Sequence, residues 1–138
     1  MKQFYVCIDA LLPAPQPEQH ELCRKKALLE GGQIVFYGAE EYSVARHQPF
    51  ILNKLQRSTD LAGVIFFTID QFCYGEEFNL LLLTNILNLP LSVHFARENI
   101  SLQNTSDLNE RFLCISAYFH SLKRRRSVSA SDILGILC

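Results

Sequence analysis

No Cys-x-x-Cys pair occurs in this chain, no apolar stretch approaches the length of a bilayer, and there is almost no net charge. Each absence removes a class of function. Without paired cysteines there is neither a zinc ribbon nor a thioredoxin-type motif. The five cysteines, Cys7, Cys23, Cys73, Cys114 and Cys138, are odd in number, scattered and mostly in apolar surroundings. They read as reduced, largely buried thiols of a cytoplasmic protein. The longest apolar stretch, near residues 80–83, falls far short of the roughly 20 residues that a membrane helix needs, so no membrane partner is expected. A formal net charge of −1 supplies no global field toward nucleic acid, and any such attraction must be local. Met1-Lys2-Gln3 leads straight into a strand-like segment, so no secretory leader is expected.

What is present is core. Of the 138 residues, 49% are apolar, enough for one α/β domain and too few for two. Ala62 to Phe72 is the most informative stretch: an apolar run climbs to Asp70 and then breaks. That is how a buried parallel strand ends at the carboxyl edge of a sheet, where ligands bind in open α/β folds. Further strands are expected at Phe4–Asp9, Ile34–Tyr37 and Leu89–Phe95, with a short edge strand near Asn99–Asn104. Between them lie helical patterns. Glu18–Glu30 is stopped by Gly31-Gly32, a second helix starts at Pro49, and Glu76–Leu87 is strongly apolar. Thr105-Ser106-Asp107 offers N-cap chemistry for a long last helix, Leu108–Arg126. This alternation predicts a three-layer α/β sandwich. Its sheet is mostly parallel, has four or five strands in order 2-1-3-4, and is flavodoxin-like in connection. Residues 1–126 form the domain and 127–138 a tail with a polar break and a short apolar end.

The chemistry these residues allow is narrow. A phosphate cradle after the first strand needs glycine, and Ala10 to Pro15 has none, with prolines that carry no N–H. Asp9 and Asp70 end adjacent strands and could share a magnesium ion, but a receiver-type site needs a second acid beside Asp9 and a lysine after a fifth strand; the plainer reading is that both cap local turns. Cys7 lies between Val6 and Ile8, where a cysteine packs as a small hydrophobe. His20, His47, His94 and His120 show no metal-ligand or triad spacing, so neither metal nor cofactor is expected. Lys123, Arg124, Arg125 and Arg126 form the one concentrated basic patch. It suits a helix C-terminus, and it could also contact DNA phosphates.

The element order and several strings together resemble the catalytic domain of serine recombinases, the resolvases and invertases, over roughly Phe4 to Arg126. That family opens with Tyr-x-Arg-x-Ser, where this chain has Tyr5-Val6-Cys7-Ile8-Asp9. Its Arg-Pro before the second helix is here Gln48-Pro49, and its Asp-Arg-Leu is here Asp70-Gln71-Phe72. Glu98-Asn99-Ile100 and Ala117-Tyr118-Phe119 match further strings. The resemblance implies a resolvase-like fold whose nucleophile is replaced by Asp9 and whose arginines are replaced by Cys7, Gln48 and Gln71. An acid in place of the serine repels a phosphodiester, and a neutral amide or thiol cannot supply a guanidinium's charge and fork. The downstream helix-turn-helix domain usual in the family is also missing from this sequence. A weaker likeness, through Pro17-Glu18-Gln19 and Gly63-Val64-Ile65, is to a resolvase-like family known from bacterial carbohydrate-biosynthesis clusters.

The expectation is therefore a pseudoenzyme that acts by protein contact, as a homodimer or larger assembly or with another protein. By resemblance, Phe112, Ile115 and Phe119 of the last helix are its contacts. Two alternatives stand beside it. One is DNA binding through Lys123–Arg126. The other is a small enzyme of carbohydrate or phosphate metabolism using Asp9, Asp70 and Gln71.

Overall fold

The computed structural model describes residues 1–9, 12–40, 48–58, 60–74 and 77–124. The strands are β1 (Lys2–Asp9), β2 (Gly32–Glu40), β3 (Gly63–Phe66), β4 (Cys73–Tyr74), β5 (Glu77–Phe78), β6 (Ser92–Phe95) and β7 (Ile100–Leu102). The helices are α1 (Gln16–Leu29), α2 (Gln48–Arg57), α3 (Leu80–Leu87) and α4 (Thr105–Arg124), with a 3-10 turn at Ile69–Phe72. The main sheet runs β2-β1-β3-β6-β7, parallel except for β7, which pairs antiparallel with β6. The expected order 2-1-3-4 is thus met, with β7 as the added edge strand.

Strand β1 shows why the sheet sits between two layers. Every residue from Phe4 to Asp9 is buried, so both faces are covered. Phe4, Val6 and Ile8 pack with Ile65 and Phe67 under Cys23 and Ala27 of α1. Tyr5 and Cys7 point the other way, into the larger core of Val64, Phe66, Phe72, Leu83, Ile86 and Phe95. Phe66, Phe72 and Phe95 meet there as an aromatic trio with centroids 4.7–6.1 Å apart. Helix α1 ends as the glycines suggested: Gly31 takes φ +77°, a left-handed turn that glycine adopts without cost. The β1–β2 register slips between Phe4 and Tyr5, leaving Val35 as an extra residue in β2.

Three expectations are corrected. The helix expected at Glu76–Leu87 is shorter: Cys73–Tyr74 pairs antiparallel with Glu77–Phe78, and α3 begins only at Leu80. Asn79 sets that start by accepting from the Leu82 N–H at 2.9 Å. The last helix begins at Thr105, and its cap is Asn104, whose Oδ1 accepts from the Asp107 N–H at 3.0 Å. The Asp107 carboxylate in turn accepts from the Gln103 N–H. Cys7 and Cys23 are buried thiols, and burial pushes the Cys23 thiol up to about 12, but Cys114 is disulfide-bonded and departs from uniformly reduced cysteines. No described helix is long and apolar enough to cross a membrane. The tail expected at 127–138 lies outside the described residues.

Candidate functional site at the carboxyl edge of the sheet

Parallel strands β1, β3 and β6 deliver their carboxyl ends to one edge, and Asp9, Asp70 and Gln71 lie there. Cys7 is fully buried in β1, with its side chain in the larger core. Asp9, the last residue of β1, is 3% exposed. Its backbone is held by Gln19 of α1: the Asp9 N–H donates to Gln19 Oε1 at 3.1 Å, and Gln19 Nε2 donates to the Asp9 carbonyl at 2.9 Å. The same Nε2 donates to the Ala14 carbonyl at 2.9 Å. A proline-rich loop is short of donors, and the buried Gln19 amide supplies them.

Gln71 plays the matching part after β3. Fully buried in the 3-10 turn, its Oε1 accepts from the Thr68 N–H at 3.0 Å and its Nε2 donates to the Cys7 carbonyl at 3.1 Å. It ties the end of β1 to the turn after β3. Asp70, beside it, faces outward and accepts from Arg97 Nη2 at 3.0 Å. Arg97 follows β6, donates through Nε to Glu98 at 2.9 Å and lies 5.8 Å over the Phe67 ring. The Glu98 carboxylate is 1% exposed. It also accepts from the Thr68 hydroxyl at 2.8 Å and the Ile69 N–H at 2.9 Å. Burial raises the pKa of Glu98, and the bonds from Ile69, Arg97 and Thr68 partly offset that rise. Among the described residues the structure thus brings one guanidinium, Arg97, to this edge, clamped between two acids. Thr68 carries a hydroxyl there, but it is buried and donates to Glu98.

Gln48 opens α2, but its side chain lies outside the described residues. The Asp9–Asp70 magnesium idea gains no third ligand: among the described residues no group of three or more His, Cys, Asp or Glu could hold a metal ion. On α4, Phe112 is 49% exposed with Leu113 beside it at 66%, whereas Ile115 packs in the core at 2%. Ile115 therefore supports the domain rather than presenting itself at the surface of a single chain. The side chains of Phe119, Lys123 and Arg124, and all of Arg125 and Arg126, lie outside the described residues; the backbone puts Lys123 and Arg124 in the last turn of α4.

A second polar cluster lies under α1. His94, on β6, is 1% exposed. Its Nε2 is 2.8 Å from Ser92 Oγ; its Nδ1 is 3.0 Å from Ser101 Oγ and 3.2 Å from Glu30 Oε1. The Ser101 hydroxyl donates to the same Glu30 oxygen. A carboxylate does not face a ring lone pair, so Nδ1 carries the proton, and the Ser92 hydroxyl lies between Nε2 and the Ala62 carbonyl, which accepts from it at 3.2 Å. Lys26 stands 3.6 Å from Glu30 and donates to Asn99 Oδ1 at 2.8 Å. Burial pushes His94 down to about 4, against the pull of Glu30. Burial also lowers Lys26, with Glu30 drawing it back up. A Cβ at Gly63 would stand 2.1 Å from Ser92 Oγ, so the glycine opens the space this hydroxyl occupies. His94, which has no ligand or triad spacing in the sequence, is thus a buried histidine with both ring nitrogens bonded. Ser92, two residues before it on the same strand face, was the sequence signal for a partner.

No protein-family model matches the sequence, and no curated protein matches it. Among solved structures the chain is similar to a resolvase family site-specific recombinase from Streptococcus pneumoniae. The TM-score is 0.57 at 11% identity, covering 92% of this chain and all of that one. At that identity the likeness concerns backbone architecture, and it agrees with the strand order and terminal helix described above: this chain has a resolvase-like fold.

Proposed function

We propose that this resolvase-like domain works by self-association and protein contact rather than by cutting DNA. One observation carries the reading: the groups at the carboxyl edge are spent on one another. Gln71 and Gln19 use their amides to hold the backbone of β1. Arg97 is held by Asp70 and Glu98. Phosphodiester cleavage by a hydroxyl needs an accessible nucleophile and cations free to meet developing charge. Among the described residues, Asp9, Asp70 and Glu98 against Arg97 make this edge acidic, which repels a phosphate. The exposed Phe112 and Leu113, adjacent on α4, supply apolar surface of the kind that a partner covers.

The test is sedimentation of the full chain across low to high micromolar concentration. A dimer or larger species that Phe112→Glu weakens at least tenfold, without lowering Tm, supports the reading. A strict monomer at high micromolar concentration overturns it. A nicking assay on supercoiled DNA tests the other half: a covalent protein–DNA adduct would restore a cleaving enzyme.

A further inference from the structure

Exposed large apolar side chains are not spread evenly over the described residues. Leu80 and Leu81 lie on α3 and Phe112 and Leu113 on α4, but Met1, Leu22, Leu28, Leu29, Phe36 and Tyr37 belong to α1 and the β1–β2 side of the sheet. Phe36 and Tyr37 are 51% and 59% exposed on β2, the outermost strand, which pairs with β1 on one side and with no described strand on the other. An edge strand presents unmatched N–H and C=O groups. Proteins usually blunt such edges with lysine, proline, bulges or short length. Strand β2 has nine residues and contains no Lys, Arg or Pro; its one irregularity is the extra residue Val35, on the side that pairs with β1. Beside it a cleft of about 390 Å³ opens between α1 and β2, lined by Met1, Arg24, Leu28 and Tyr37 among others.

We propose that this edge is a self-association surface, on which β2 of a second copy of the chain pairs antiparallel about a two-fold axis at Phe36. An open strand edge selects another strand. Centring the axis on Phe36 gives all nine residues partners: Gly32 faces Glu40, Gln33 faces Ala39, Ile34 faces Gly38, Val35 faces Tyr37, and Phe36 faces its own copy. The strand's single charge, Glu40, then meets a glycine and never another acid, so the pairing opposes no like charges. A partner chosen by charge finds nothing on this strand to read. The axis stands normal to the sheet, so the two α1 helices share a face and Leu28 of each copy joins the seam. An aromatic side chain buries roughly 150–250 Å². Half-exposed Phe36 and Tyr37, with Met1 and Leu28, therefore offer on the order of 500 Å² per copy, or about 1,000 Å² in all, the lower bound of a specific interface. The expected dimer is weak and concentration-dependent. It is independent of α4, whose exposed residues lie on another element.

The experiment places single cysteines in the full chain carrying Phe112→Glu, so that an α4 contact cannot contribute. With Phe36→Cys, the introduced thiols of two copies meet on the axis within disulfide reach. Mild oxidation then yields a dimer on a non-reducing gel well above the parent's background. With Gln33→Cys the equivalent positions are about 20 Å apart, and no extra dimer forms. Phe36→Lys in the same background raises the dissociation constant at least tenfold at unchanged Tm, because its side chain is half in solvent and the charge blocks only the paired state. Absence of a Phe36→Cys dimer, equal trapping at both positions, or unaltered self-association of Phe36→Lys would each overturn the proposal.

Discussion

A primary amide accepts as well as donates, and an arginine only donates. That difference decides what residue 71 does. Its Oε1 satisfies the buried Thr68 N–H and its Nε2 the Cys7 carbonyl, with the side chain wholly out of solvent. Gln71→Arg, which installs the arginine that the resemblance to serine recombinases implies at this position, is therefore expected to lower Tm and to confer no DNA cleavage. It buries a charge and strips Thr68 of its acceptor, a loss of about 3 kcal/mol or more in urea denaturation. Gln71→Ala leaves two buried backbone groups without this partner and costs about 1–3 kcal/mol. His94 gives the residue scale a second prediction. Its folded pKa of about 4 lies below the ordinary 6.5, so the folded protein keeps it neutral while the unfolded chain takes the proton. Stability from this site is complete above pH 6.5 and falls as pH drops toward 4, by about 3 kcal/mol in total. Glu30, whose pKa is lowered, loses stability in the same direction below its usual range: burial raises it, but the Ser101 bond and the charges of His94 and Lys26 outweigh that. Glu98, whose pKa burial raises, works the opposite way. Denaturation at several pH values should show a slope between pH 4 and 6.5 that His94→Gln flattens.

The elements differ in how much of them the chain announces. Strands β1 and β3 were legible because residues buried on both faces leave an unbroken apolar run. Helix α1 was legible because Gly31 marks its end. The β4–β5 pair was not, since two-residue strands carry no usable period and Phe78 continues the apolar count of α3. The cap that separates them is a single side chain, Asn79, and Asn79→Ala should cost about 1 kcal/mol and fray the start of α3, seen as faster amide exchange at Leu82. The site divides in the same way. That residues 9, 48 and 71 are an acid and two amides can be read directly from the chain. What Gln71 and Glu98 do instead depends on partners 64 and 30 residues distant, Cys7 and Thr68, which local pattern does not encode. Arg97 was missed for the same reason: its carboxylate partner Asp70 is 27 residues away.

Across the whole molecule the two apolar surfaces belong to different parts of the fold. Strand β2 is one edge of the sheet and β7 the other, and α4 follows β7 directly and packs on it. Each surface, if it pairs with its own kind, forms an isologous contact, which on its own stops at a dimer. Two different isologous contacts in one chain do not stop there: they alternate, building either a closed tetramer or an open filament according to whether their axes meet. Static light scattering of the wild type should therefore show mass rising past the dimer with concentration. Phe112→Glu, leaving β2 intact, and Phe36→Lys, leaving α4 intact, should each level off at a dimer, and the double variant should be monomeric with an unchanged far-ultraviolet spectrum. The two single variants differ in a way that assigns the surfaces: only the Phe112→Glu dimer, held by a main-chain ladder, should protect the backbone amides of β2 from exchange. A wild type that levels off at a dimer, abolished by one substitution and untouched by the other, would show that only the surface carrying the effective substitution associates.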